Sequence, residues 1–149
     1  MFKAVANSPA ALKMMRAGFG ALGGGRLGAG LGERIAVLVA ERNGCEYCLA
    51  AHTALGRKAG VSASELSQAQ AGHSPDPRAD AALGFAAKLV DGRAQVSDAD
   101  VESLRTADFD DEEIVEIVAH VALNLFTNYV NGALSVPVDF PKVALRGAA

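Results

Sequence analysis

The chain has 149 residues, with 14 Lys and Arg against 17 Asp and Glu, and a net charge of -3. That mild balance gives no reason to expect nucleic acid as a partner. Half of the residues are hydrophobic, aromatics are few and Trp is absent, so one domain over residues 1–149 with an aliphatic, closely packed core is expected.

No stretch reads as a membrane span. The most apolar region, from Ile114 to Phe126, contains Glu116, His120 and Asn124, and so many polar groups argue against hydrocarbon. The N-terminal stretch is broken by Lys13 and Arg16 and does not read as a signal peptide. Two cysteines without a wider framework suit a reducing compartment, so a cytoplasmic location is expected, without membrane contact.

Ser8-Pro9 is a helix start, and Ala10 to about Ala21 carries Leu12, Met15 and Phe19 on one side. Gly20 to Gly32 is glycine-dense and reads as a break. Gly23, Gly25 and Gly28 match Gly-x-Gly-x-x-Gly, but a phosphate cradle needs a strand before it. What precedes these glycines is helical in pattern, so a flexible connector is the leading reading. Leu31 to Asn43 is a second helix, apolar all round from Ile35 to Ala40 and hence buried on most sides. Glu33 falls in its first turn on this reading, where the helix dipole favours an acid. Gly44 suits the left-handed conformation that ends a helix.

The next helix runs from Cys45 to about Ala59. Ser62 with Glu65 is a capping box for a short helix that ends near Gly72. Pro77 to about Val90 and a segment beginning at Ser97 are helical, and Asp110 to Glu113 opens a long last helix that reaches Leu134. That helix is apolar on more than one face and predicts burial against a second subunit. His120 on it reads as a core histidine, and His73 as a solvated loop residue. Asn124, Asn128 and Asn131 make a polar stripe along the helix. The leading reading of the stripe is inter-helix hydrogen bonding that fixes register, with direct substrate contact second. Two prolines at 137 and 141 make the tail extended. No segment alternates as a strand would, so the class is all-α, with six to seven helices.

Chemistry concentrates in Cys45-Glu46-Tyr47-Cys48-Leu49-Ala50-Ala51-His52. On a first helical turn the two thiols stand at i and i+3 on one face, with His52 one turn beyond Cys48. An imidazole and a helix N-terminus both favour the thiolate, lowering a thiol pKa from about 8.5 into a range of roughly 3.5–7.5. Four readings compete: a thiol peroxidase or disulfide reductase, a zinc site of Cys45, Cys48, His52 and a fourth ligand such as His120, two inert packed thiols in a helical scaffold, and a Cys-His acyl-transfer nucleophile. The local pattern favours redox chemistry. Zinc sites usually carry a second, distant ligand pair that this chain lacks.

Glu33, Cys45, Cys48 and His52 together form Glu-x11-Cys-x-x-Cys-x3-His. This resembles the signature of the alkylhydroperoxidase D-like proteins of the carboxymuconolactone decarboxylase superfamily. Asn128 to Asn131 and the closing Val-Asp-Phe-Pro resemble its peroxidase-related branch. The resemblance implies an all-helical fold that assembles as a trimer or hexamer, and a hydroperoxide-reducing dithiol that needs no bound cofactor or metal. It implies that Cys48 attacks the peroxide, Cys45 resolves the sulfenic acid, His52 takes the Cys48 proton and Glu33 relays it. Tyr47, Asn124 and Asn128 are candidate supporting residues. Tyr47 stands where the best-studied branch has a histidine, which implies a shorter relay. An external lipoyl- or thioredoxin-like dithiol donor is the implied partner. The alternative is a non-catalytic helical homo-oligomer whose thiols bind zinc or only pack.

Overall fold

The computed structural model describes residues 1–147 and is all-helical over them. The helices are α1 (Phe2–Val5), α2 (Pro9–Gly23), α3 (Gly28–Arg42), α4 (Glu46–Lys58), α5 (Ala63–Ala71), α6 (Pro77–Asp91), α7 (Asp98–Thr106) and α8 (Asp111–Ala133). The count exceeds the expected six to seven by the single-turn α1, which is too short to leave a periodic signal.

Local chemistry sets most helix starts. Ser8 accepts the Ala11 N–H at 3.2 Å, and Pro9 takes the first position of α2, where a missing N–H costs nothing. Reciprocal capping boxes open α5 (Ser62, Glu65), α7 (Ser97, Asp100) and α8 (Asp110, Glu113). Each cap contributes about 1 kcal/mol.

The glycine-dense stretch behaves differently from the expectation. Its break is confined to Gly24–Leu27, and α3 starts at Gly28, three residues before the expected start. The cause is tertiary. Glu116 of α8 takes the Arg26 N–H (2.9 and 3.1 Å) and the Leu27 N–H (3.1 Å) on its carboxylate and so anchors the entry to α3. A Cβ on Gly25 would lie 2.7 Å from either oxygen of that carboxylate, so the glycine permits the close approach. The motif is a helix–helix junction, with α2 and not a strand before it. Arg26 also pairs with Asp110 (2.9 Å), and Arg78 at the start of α6 pairs with Glu113 (2.6 Å). The first turns of α8 therefore tie down the starts of α3 and α6.

α3 is the central helix. Residues Ile35 to Ala40 are all buried, and the helix packs against α4, α5, α6 and α8. Burial of side chains such as Ile35 and Leu38 contributes roughly 1.5–3 kcal/mol each. α8 lies against α2, α3, α4 and α6 and leaves Val115, Val118 and Tyr129 outward, with Val115 66% and Tyr129 64% exposed. The extended tail returns along the bundle. Val138, Phe140 and Val143 pack on the core, and Gln70 donates to the Ala144 carbonyl at 2.8 Å. No helix among the described residues is long and apolar enough to cross a membrane.

Candidate active site

The dithiol sits where α3 ends and α4 begins, above the C-terminal half of α8. Gly44, at φ +64°, turns the chain between the two helices. Cys45 is the N-cap of α4 and not a residue of its first turn as the sequence suggested. Its backbone is extended, and its sulfur accepts the Cys48 N–H at 3.4 Å. An N-terminal amide of the helix therefore points at the Cys45 sulfur. Both cysteines are free and buried.

The two thiols form a coupled pair. The Cys45 thiol is brought down to about 7, first by the hydrogen bond it receives from Cys48 and then, against the opposing effect of burial, by the Cys48 N–H and the positive charge available on His52. The Cys48 thiol is pushed well above the ordinary range, first because its proton is held by Cys45 and then by burial. The first ionisation of the pair thus leaves one shared proton between two sulfurs.

His52, one turn along α4 from Cys48, places Nδ1 2.8 Å from the Glu33 carboxylate of α3. This pairing replaces the helix-dipole role expected for Glu33. With α3 beginning at Gly28, Glu33 stands in its second turn, and no acid occupies the first. A buried histidine tied through one nitrogen to a carboxylate is fixed in orientation and tautomer, which leaves its other nitrogen for proton transfer. Nineteen positions separate the two residues, so helical spacing could not bring them together, whereas the signature did.

The asparagine stripe makes inter-helix hydrogen bonds at two of its three positions, as the leading reading expected, and one of them goes to a thiol. All three side chains are buried. Asn131 Nδ2 donates to the Cys48 sulfur at 3.1 Å. Asn43 Nδ2 donates to the Asn128 carbonyl oxygen at 3.1 Å and to the Val39 carbonyl at 2.9 Å. Asn124, two turns before Asn131 on α8, donates to the His120 carbonyl at 2.8 Å. Asn131 as a thiol contact and Asn43 as its neighbour's partner were not singled out from sequence. The only local signal was an unusual run of amides on an apolar helix.

Two chambers meet at the Glu33–His52 pair. The larger, about 310 Å³, is walled by Phe2, Phe19, Ala51, Leu55 and Phe140, with Cys48, Tyr47, Glu33, His52 and Asn131 contributing the reactive and polar groups. Cys48, and not Cys45, lines it. The smaller, about 120 Å³, lies on the other side of the pair and is lined by Gly32, His120, Asn124 and Leu123 among others. Gly32 allows His120 in: a Cβ there would lie 2.8 Å from the ring. Burial holds His120 below the usual histidine range, opposed by Glu116 and Glu33. Tyr47 stacks edge-on against Phe140 with centroids 5.7 Å apart. Burial, with the nearby Asp139 carboxylate, pushes its hydroxyl up to about 12, so it offers no base at neutral pH. Among the described residues no three His, Cys, Asp or Glu side chains are gathered to hold a metal ion, and His52 is turned to Glu33.

The comparisons with known proteins agree with this architecture. Among curated proteins none matches the chain. Among solved structures, an uncharacterized peroxidase-related protein from Silicibacter sp. TM1040 is 30% identical, with a TM-score of 0.81 over 98% of this chain and 78% of that one. An uncharacterized peroxidase-related protein from Ralstonia eutropha JMP134, an alkylhydroperoxidase AhpD core, is 29% identical, with a TM-score of 0.77 over 87% of this chain and 70% of that one. The apo debrominase Bmp8 shares the fold at 20% identity, with a TM-score of 0.79 over 91% of this chain and 74% of that one. Residues 9–91, more than half of the chain, match the description of a single family, and the chain belongs to the carboxymuconolactone decarboxylase family, with an AhpD-like fold.

Proposed function

We propose that the protein is a thiol-dependent hydroperoxide reductase with an antioxidant role. One observation carries the reading: the apolar chamber of about 310 Å³ brings Cys48, His52 and Glu33 to one wall, with the Cys45 sulfur directly behind Cys48. An apolar walled site suits an organic hydroperoxide, and a buried imidazole–carboxylate pair beside a thiol suits proton removal.

Cys48 gives up its proton toward His52, whose charge Glu33 stabilises. The Cys48 thiolate attacks the outer peroxide oxygen, the O–O bond breaks, and the alkoxide leaves as the alcohol after taking the proton from His52. Cys48 is now a sulfenic acid. Cys45 attacks the Cys48 sulfur as the thiolate, the proton it gave up joins the departing hydroxide to form water, and a Cys45–Cys48 disulfide remains. An external dithiol, lipoyl- or thioredoxin-like by resemblance, returns two electrons and two protons. Acidity and access are divided between the sulfurs: Cys45 is the more acidic, whereas Cys48 faces the chamber.

A homo-oligomer, trimeric or hexameric by resemblance, belongs to the same proposal. It is supported by Val115, Val118 and Tyr129, which present an apolar strip of α8 to solvent. A particle of monomer mass by light scattering would remove it.

The function is tested by peroxide consumption and thiol trapping. Cys48→Ser is expected to abolish turnover. Cys45→Ser is expected to stop after one equivalent, with a dimedone adduct on Cys48. A sulfenate trapped on Cys45 in Cys48→Ser, with none on Cys48 in Cys45→Ser, would reverse the roles. Two thiols that survive peroxide in the unaltered protein would end the redox reading.

A further inference from the structure

We propose that the amides of Asn131 and Asn128 draw part of the dithiol's negative charge from Cys45 toward Cys48, and that Asn43 acts as a positioning residue by fixing the direction of Asn128. The inference deepens the hydroperoxide reading and rests on it for its catalytic meaning.

A coupled dithiol has two singly charged forms: Cys45 thiolate with Cys48 thiol, and Cys45 thiol with Cys48 thiolate. One proton moves between the sulfurs, and nothing is oxidised. Donors to Cys45 favour the first form, and the Cys48 N–H is such a donor. Only the second form presents a nucleophile to the chamber. The charge must therefore be drawn across to the sulfur that substrate can reach.

α8 supplies the counterweight. Asn131 Nδ2 lies 3.1 Å from the Cys48 sulfur. Its own carbonyl oxygen is buried without a partner, so the residue is held for its N–H and not for its oxygen. Asn128 is oriented by Asn43, whose amide donates to the Asn128 oxygen at 3.1 Å. That contact commits the Asn128 oxygen and turns its Nδ2 the other way. The Nδ2 is buried without a hydrogen-bond partner. Like the Asn131 amide, it favours charge on the nearby Cys48 sulfur. A thiolate is a far better acceptor than a thiol, so these donors are fully used only when Cys48 is charged. The titratable groups around Cys48 are Cys45, Tyr47 and His52 on its own element, Glu33 on α3 and Asp139 beside Tyr47 in the tail. α8 adds donors that do not titrate, so the bias holds at every pH at which the fold persists.

The test is alkylation of each cysteine by iodoacetamide across roughly pH 5 to 10, read by mass spectrometry. The variants are Asn131→Leu, Asn131→Asp, Asn128→Leu and Asn43→Ala, each checked for helical content. In Asn131→Asp the labelling rate of Cys48 relative to that of Cys45 is expected to fall about tenfold at pH 7, since the two sulfurs share one first ionisation and only its division between them changes. Asn43→Ala touches neither sulfur and is expected to move the ratio in the same direction by less. If the α8 variants do not fold, Asn43→Ala carries the test alone. An unchanged ratio in the folded variants would overturn the inference. Alkylation needs no peroxide. A protein inert to peroxide that shows the shift keeps the charge placement and loses the proposed activity. Loss of peroxide turnover without the shift does the reverse.

Discussion

Removing the Cys48 thiol should make Cys45 a weaker acid, whereas in an independent pair of thiols it would leave Cys45 unchanged. Cys45 is brought from 9.0 to about 7, and the largest cause is the hydrogen bond from Cys48. The pair therefore begins to ionise near neutral pH, with Cys45 the more acidic sulfur. In Cys48→Ala that donor is gone, while the helical N–H at 3.4 Å and the charge available on His52 remain. Burial still opposes ionisation. A return of one unit would leave roughly a tenth of the thiol ionised at pH 7, and a return of two units about 1%. Thiolate ultraviolet absorbance against pH, compared between the parent and Cys48→Ala, reads this directly. The expected result is a midpoint between about 8 and 9 in the variant. A Cys45 midpoint that stays near 7 would show that the helix end alone sets its acidity, and that the two sulfurs do not share a proton.

Two further perturbations test the frame of the site. Gly32→Ala brings a Cβ to 2.8 Å from His120; overpacking of this kind costs about 1–3 kcal/mol, and an unchanged melting temperature would mean that the ring gives way freely. Asp100 is held down to about 2 by Lys88 and by its hydrogen bonds with Ser97. Because the folded value lies below the unfolded one, the contribution is complete above about pH 4 and is lost as pH falls through about 2; Asp100→Asn should flatten that part of a stability–pH curve, and a curve superimposable on the parent's would refute it.

Legibility followed range. The capping boxes at Ser62, Ser97 and Asp110 were readable because donor and acceptor lie three residues apart. The α3 start was not, because it depends on Glu116 some ninety residues away. Glycines that looked like breakers are inside the helix for proximity: Gly32 admits His120. Among the site residues, Cys45, Cys48 and His52 lie within one short segment and announced themselves. Glu33 was recovered only through a family pattern, since no periodicity crosses the loop between α3 and α4. The asparagines were visible as an anomaly and read as inter-helix contacts, but the sulfur that Asn131 meets was not legible, because it lies 83 positions distant along the chain.

The placement of ties along α8 bears on which insertions and deletions the chain tolerates. Glu113 and Glu116 fasten the helix to α6 and α3 near its start, and Asn131 meets the sulfur near its end. The fifteen residue steps from Glu116 to Asn131 span about 22 Å of helix. Deleting one residue between them would draw the amides about 1.5 Å along the axis and swing them about 100° around it, away from Cys48, while leaving the carboxylate ties intact. The number of residues in this segment is thus constrained, whatever their identity. Length here is part of the site, just as much as the side chains it carries.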